Sequence, residues 1–214
     1  MNSLKSPVIS ALMFIYLALL FGMFGYAHAS PVYPLIQEVY YDHPGADGDK
    51  VFTEIYGPPG ISLNNYFLKG INGAGDLVYK TVDLSGAVLP SNGLLVVAGT
   101  EFTTLPAGSF FVGDVDWQNG PDAVQLWYDD GISTPIRYDA LAYGGVPHLG
   151  EGDAALDAPP GQSLSRVLGI DTDNNLSDFL VSNPTPGVVP IPGAAWLLGS
   201  GLIGLVGARR TLMK

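Results

Sequence analysis

No cysteine occurs in the 214 residues. That absence excludes disulfides, thiolate nucleophiles and Cys-type metal sites together, and leaves core packing to hold the fold. Basic residues are scarce as well, nine Lys and Arg against 20 Asp and Glu. All 20 acids fall between Glu38 and Asp178, where the only cations are Lys50, Lys69, Lys80, Arg137 and Arg166, so five against 20 leaves −15 on that span. Such a field argues against nucleic acid and anionic lipid surfaces as partners, and for solubility or cation binding. Chemistry-bearing motifs are missing too. There is no G-x-S-x-G around Ser163, no H-E-x-x-H and no glycine-rich phosphate loop. Once a leader is removed, His43 and His148 are the remaining histidines, each in a Gly/Pro-rich loop. With no nucleophile–base pattern, the expectation is a protein that is not an enzyme.

What is present begins with two apolar ends. Residues 1–29 read as a secretory signal peptide, with Lys5 in the n-region, an apolar core over 8–24 and the small-residue site Ala27-His28-Ala29. Cleavage there makes Ser30 the new N-terminus, the alternative being an uncleaved N-terminal anchor. At the other end, 188–208 is a run of 21 residues without Asp, Glu, Lys, Arg or His. At about 1.5 Å per residue such a run matches the roughly 30 Å of bilayer hydrocarbon. Pro190 and Pro192 precede it, where a missing N–H costs little, and Arg209 and Arg210 follow it, favouring a cytoplasmic end. A transmembrane helix over 193–208 is expected, either as a plain anchor or as part of a processed tail.

Between the ends, turn chemistry recurs at short intervals: Pro58-Pro59-Gly60, Asn72-Gly73, Ser91-Asn92-Gly93, Asn119-Gly120-Pro121 and Asp129-Asp130-Gly131. The segments they separate predict strands over 35–41, 51–56, 66–71, 77–84, 94–98, 110–112, 123–128, 136–143, 163–167 and 179–181. In 123–128, Val124, Leu126 and Tyr128 alternate with Gln125 and Trp127, as in a strand with one buried face. Leu94-Leu95-Val96-Val97 is continuously apolar and reads as a central strand covered on both sides. No sustained 3.6-residue period interrupts this pattern, and one helical turn is expected near 154–156. The fold class that follows is an all-β sandwich over 30–182. Residues 183–188, polar and Pro-rich, read as a short extended linker to a tail over 189–214.

Two resemblances sharpen these readings. Val189, Pro190, Ile191 and Pro192, the Gly-rich run from Trp196 to Leu205, and Arg209-Arg210 closely resemble the PEP-CTERM sorting signal in its Val-Pro-x-Pro variant. That resemblance implies export in a Gram-negative bacterium, recognition by an exosortase, transient residence in the inner membrane, and cleavage near the Pro motif. The central region resembles the lamin-tail domain, an immunoglobulin-like β-sandwich. The likeness is carried in order by Val51-Phe52-Thr53-Glu54-Ile55-Tyr56, Leu63-Asn64-Asn65-Tyr66-Phe67-Leu68, Leu89-Pro90-Ser91-Asn92-Gly93-Leu94-Leu95, Gly120-Pro121-Asp122-Ala123-Val124, Tyr138-Asp139-Ala140-Leu141-Ala142-Tyr143-Gly144, Gly161-Gln162-Ser163-Leu164-Ser165-Arg166 and Asn183-Pro184-Thr185-Pro186-Gly187.

Candidate ligand sites are few. Calcium needs closely spaced hard oxygens on a turning backbone. Asp171, Asp173 and Asn175 form half of such a loop, without the Gly and the position-twelve Glu of an EF-hand, and Asp42, Asp47 and Asp49 surround Gly45 and Gly48. Both clusters read equally as turns in which Asp and Asn bond their own backbone. Glu54 is either a buried, paired carboxylate or an outward-facing one. Trp117 and Trp127 with nearby tyrosines form either core or a sugar-stacking platform. The expected role is an exported structural or binding module at the cell surface or in extracellular polymer, with polysaccharide as a candidate partner. The alternative is a matrix-polysaccharide hydrolase or carbohydrate-binding protein, the hydrolase pairing Glu54 with a loop Asp.

Overall fold

Short β-branched and aromatic runs between Gly, Pro and Asn turns favour extended backbone, and all ten expected strands form. The computed structural model describes residues 32–47, 50–102, 110–112 (backbone only), 115–167 and 169–188. They lie within one unit, Ala29–Val189. The signal-cleavage residues Ala27, Ala29 and Ser30, the sorting residues Val189, Pro190, Ile191, Pro192, Arg209 and Arg210, the helix expected over 193–208, and Asp49 fall outside the described residues. Among those described, no helix is long and apolar enough to cross a membrane.

The strands are β1 (Leu35–Tyr40), β2 (Phe52–Tyr56), β3 (Tyr66–Asn72), β4 (Leu77–Asp83), β5 (Leu94–Ala98), β6 (Phe110–Val112), β7 (Asp122–Tyr128), β8 (Ile136–Tyr143), β9 (Ser163–Arg166) and β10 (Phe179–Ser182). They build a six-stranded sheet in the order β10-β9-β1-β2-β5-β6 and a four-stranded sheet in the order β4-β3-β7-β8. Every pairing is antiparallel except β5 with β6, which is parallel. The architecture is the expected two-sheet, all-β sandwich.

The core follows from the pleat. Ile36, Val39, Ile55, Leu95, Val97 and Leu164 face inward from the larger sheet and meet Leu68, Val82, Val124, Leu126 and Leu141 from the smaller one. Trp117 is buried among them and donates its indole N–H to Thr53 Oγ1 at 2.8 Å. Tyr41 and Tyr143 stack with ring centroids 4.1 Å apart. β5 is buried throughout, as its unbroken apolar run requires. Its outward residues Val96 and Ala98 pack with Tyr40, Phe52 and Phe102 in a second cluster on the far side of the sheet.

Two expectations need correction. No helical turn forms at 154–156. Ala155 instead bridges Tyr143, and its N–H donates to the Ala142 carbonyl at 2.8 Å. The described helical turns are a 3-10 turn at Pro147–Leu149, started by its proline, and one α-turn at Asn175–Asp178, capped by the Asn174 side chain on the Ser177 N–H. Nor do residues 183–188 behave as a free linker, because Thr185 and Gly187 are hydrogen-bonded to glutamates of the sandwich.

The β3–β4 corner shows how tightly the smaller sheet closes. A Cβ on Gly73 would stand 2.2 Å from the Pro121 carbonyl oxygen and 2.8 Å from Val146 Cγ1. Gly73→Ala is therefore expected to cost about 1–3 kcal/mol through overpacking against backbone. Ile132→Ala, at a residue 92% exposed, should stay within about 0.5 kcal/mol. Urea midpoints of the two variants check the contrast.

Candidate functional site

The outer face of the six-stranded sheet carries a row of buried acids. In the β1–β2–β5 register Glu38 pairs with Glu54, and Glu54 with Val96. Their neighbours Val39, Ile55, Leu95 and Val97 point into the core, so these three point away from it. All three are nevertheless buried, both glutamates to 1% exposure. Val96 packs with Tyr40, Phe52 and Phe102, and the two glutamates are engaged by the segment leaving β10. Glu38 accepts from Ser163 Oγ, from the Thr185 N–H at 2.9 Å and from Thr185 Oγ1 at 3.0 Å. Glu54 accepts from the Gly187 N–H. Burial pushes both carboxyls up, since water no longer solvates the charged form. Ser163 and Thr185 oppose this at Glu38. At Glu54 the Gly187 N–H opposes it, the Glu38 charge adds to it, and the value reaches about 8.

Beside this covered row lies an open groove of about 560 Å³. Tyr40, Phe102, Pro184 and Pro186 form its apolar walls, and His43, Lys50 and Glu101 its polar margin.

A second concentration of charge lies between the sheets. Arg166 of β9 is fully buried, and its Nη2 donates to both carboxylate oxygens of Asp139 of β8, at 2.8 and 2.9 Å. It also reaches Asp171 at 3.0 Å, Asp178 at 3.3 Å and the carbonyls of Ile36 and Ile170, and it lies over the Phe179 ring. Burial would lower the guanidinium; Asp139, Asp171 and Asp178 more than offset it and hold the charge in place. Glu151 stands beside Asp139, and burial with the neighbouring Asp139 and Asp171 charges pushes it up to about 8. Both oxygens of Asp139 already accept, from Arg166 and from the N–H groups of Ile36 and Ala140. A proton held between these two carboxyls therefore sits on Glu151.

Oxygens of Asp139, Glu151 and Asp171 come within 4.8 Å of one another, close enough to ligate an ion. The guanidinium of Arg166 already fills the cation's place, so a divalent metal does not fit without displacing it.

The residues singled out for calcium part company. Asp171 bonds Arg166, and Asn175 is buried with its Oδ1 accepting from the N–H groups of Ala142 and Glu151. Asp173 adopts a left-handed φ of 54° in the turn between them. This loop is a structural turn tied to the charge centre rather than a set of converging ligands. Asp42 and Asp47 do come near each other, and Asp42 is raised by burial and then by the charges of Asp47 and Asp157. Asp47 Oδ1 is buried with no partner among the described residues.

The two tryptophans do not share a platform. Trp117 is core, whereas Trp127 lies half-buried on the outer face of the smaller sheet, beneath Lys69 Nζ at 4.6 Å. Glu54 combines both readings open to it, outward-facing on the sheet yet buried and hydrogen-bonded.

Arg166, Asp139, Glu38 and Glu151 carry the polar architecture and were not distinguishable in the sequence as a group. The signal that could have found them is a charged residue inside a short strand, as at Glu38, Asp139 and Arg166. The fold class is a two-sheet antiparallel β-sandwich. No protein family, curated protein or solved structure matches the chain.

Removing Arg166 leaves Asp139 and Asp178 buried without their cation, so Arg166→Met is expected to cost about 3–5 kcal/mol. Asp173→Asn, in the exposed turn and equally tolerant of its left-handed φ, should cost little. Chemical denaturation of both variants checks the difference.

The raised carboxyls also set a pH dependence. Glu38, Glu54 and Glu151 hold protons in the folded state that an unfolded chain releases near its ordinary pKa of about 4.3. Their contribution is complete below that value and is lost as pH rises toward about 8, the value for Glu54 and Glu151. Stability should fall between pH 5 and 8, with a smaller slope in Glu54→Gln and Glu151→Gln. Urea midpoints across that range measure it.

Proposed function

We propose that the chain is an exported, non-enzymatic β-sandwich of the lamin-tail-like, immunoglobulin-like kind, passed by its tail to an exosortase and delivered to the cell surface or extracellular polymer. The observation that carries this reading is the tail's order: the Val189-Pro190-Ile191-Pro192 motif, an uncharged Gly-rich run, then Arg209-Arg210. The apolar leader with its Ala27-His28-Ala29 site supports it. A structural or binding role is supported by the way the buried acids are engaged. Glu38 and Glu54 stand side by side, as two hydrolytic carboxylates would. Their oxygens, however, accept from Ser163, Thr185 and Gly187, so both are engaged in holding the exit segment to the sheet.

One observation favours a binding role over a purely structural one. The groove bordered by Tyr40 and Phe102, with Lys50 and Glu101 at its margin, offers rings for stacking and polar groups for hydroxyls, which suits a sugar of extracellular polysaccharide.

Processing is tested by changing Pro190 and Pro192 to Ala and measuring intact mass in each cell fraction. A sorting signal read at those prolines should leave the variant as an uncut inner-membrane precursor while the wild type loses its tail. A plain anchor would be indifferent to the change, and a surface form of the wild type still ending at Lys214 overturns cleavage.

A further inference from the structure

The segment after β10 turns back instead of leaving the domain. Ser182 ends the edge strand, beside Ser163 of β9. Thr185 then meets Glu38 of β1, and Gly187 meets Glu54 of β2. The chain thus crosses the outer face against the strand direction, from the sheet edge toward its middle. The sequence Asn183-Pro184-Thr185-Pro186-Gly187 suits this path. Prolines at 184 and 186 carry no N–H, so the donors that remain at 185 and 187 are the two the glutamates accept. Gly187 has φ +73°, and the Val188 N–H donates to the Thr185 carbonyl at 3.1 Å, closing a turn with Pro second and Gly third.

We propose that residues 183–187 are a releasable strap whose docking on Glu38 and Glu54 is governed by proton uptake, so that the strap lies on the sheet at low pH and lifts from it as pH rises.

The strap is joined to the sheet by a few side-chain bonds and no strand ladder, so it can lift without unpairing β10. Closed, it keeps water from two carboxyls that prefer the protonated form there; opened, it lets them ionise in water. Ionisation of Glu54 therefore favours the open form, with Glu38 adding repulsion from the adjacent strand. Ser165 of β9 is in register with Glu38, Val96 of β5 with Glu54, and Ser163 donates to Glu38. Tyr40 of β1 borders the strap, and its phenol is pushed up by burial and by the charges of Asp42 and Asp47. His43, Lys50 and Glu101 border the strap through the groove at Pro184 and Pro186. In the cell, release would expose the chain next to the Pro motif to a processing enzyme. That consequence rests on the sorting reading, whereas the strap itself does not.

Amide hydrogen exchange on the purified full chain in detergent, from pH 5 to 8.5 and corrected for intrinsic rates, tests the proposal. The amides of Thr185 and Gly187 should lose at least tenfold of their protection across that range, while those of β5 lose much less. Glu54→Gln, which keeps an acceptor for the Gly187 N–H but cannot ionise, should keep the strap closed and flatten the trend. Glu54→Ala should open the strap at every pH. Because imidazoles in general titrate in this range, His43→Gln is a control that should leave the trend intact. Protection independent of pH, loss in step with β5, an unchanged trend in Glu54→Gln, wild-type protection in Glu54→Ala, or a trend abolished by His43→Gln would each overturn it. No processing enzyme is present, so failure here leaves the sorting reading standing. A Pro190/Pro192 variant that is still cut would refute sorting and leave the strap untouched.

Discussion

The buried ion pair between Arg166 and Asp139 is the contact on which the rest of the sandwich depends. It joins β9 of one sheet to β8 of the other, in a chain without cysteine to staple them. Its geometry satisfies more than the charges. The guanidinium also caps the carbonyls of Ile36 and Ile170, and Asp139 takes the Ile36 N–H, so the start of β1 and the 170–178 turn are oriented by the same centre. A buried ion pair is poor evidence of net stability, because its desolvation penalty offsets most of the attraction. Its effect here is specificity. An alternative register of β9 would strand a guanidinium among aliphatic side chains, and no slipped pairing can offer it three carboxylates.

The same logic explains how an acidic domain tolerates carboxyls on a covered sheet face. Glu38 and Glu54 lie in cross-strand register, an arrangement that is repulsive when both are ionised. Covering them with Thr185 and Gly187 supplies N–H donors, and burial lets Glu54 remain neutral near pH 7. The exit segment is thus hydrogen-bonded to the sheet as far as Gly187.

Strand placement was legible because the relevant signals are local. Turn residues bracket each strand, and the continuous run Leu94-Leu95-Val96-Val97 betrayed its cover on both faces. The fate of the polar residues was not legible, because it is decided by partners far along the chain. Asp139 meets Arg166 27 residues away, and Glu38 meets Thr185 147 residues away. An Asp-rich turn such as 171–175 looks the same whether it awaits a metal or an arginine, since both demand clustered oxygens. The proline-rich stretch at 183–187 misled in the opposite direction. Its composition is that of a spacer, but the spacing of its N–H groups is that of a docked segment.

The crosswise path of that segment also has a mechanical meaning. Tension drawn through the C-terminal side reaches Gly187 before Thr185, and Thr185 before the ladder that joins β10 to β9 through four residue pairs. Those contacts are loaded one after another and yield by peeling, whereas strands pulled along their length share the load and yield by shear. A pull on that end would therefore meet a short sacrificial lead first, which lengthens under a small force and leaves the sheet edge intact.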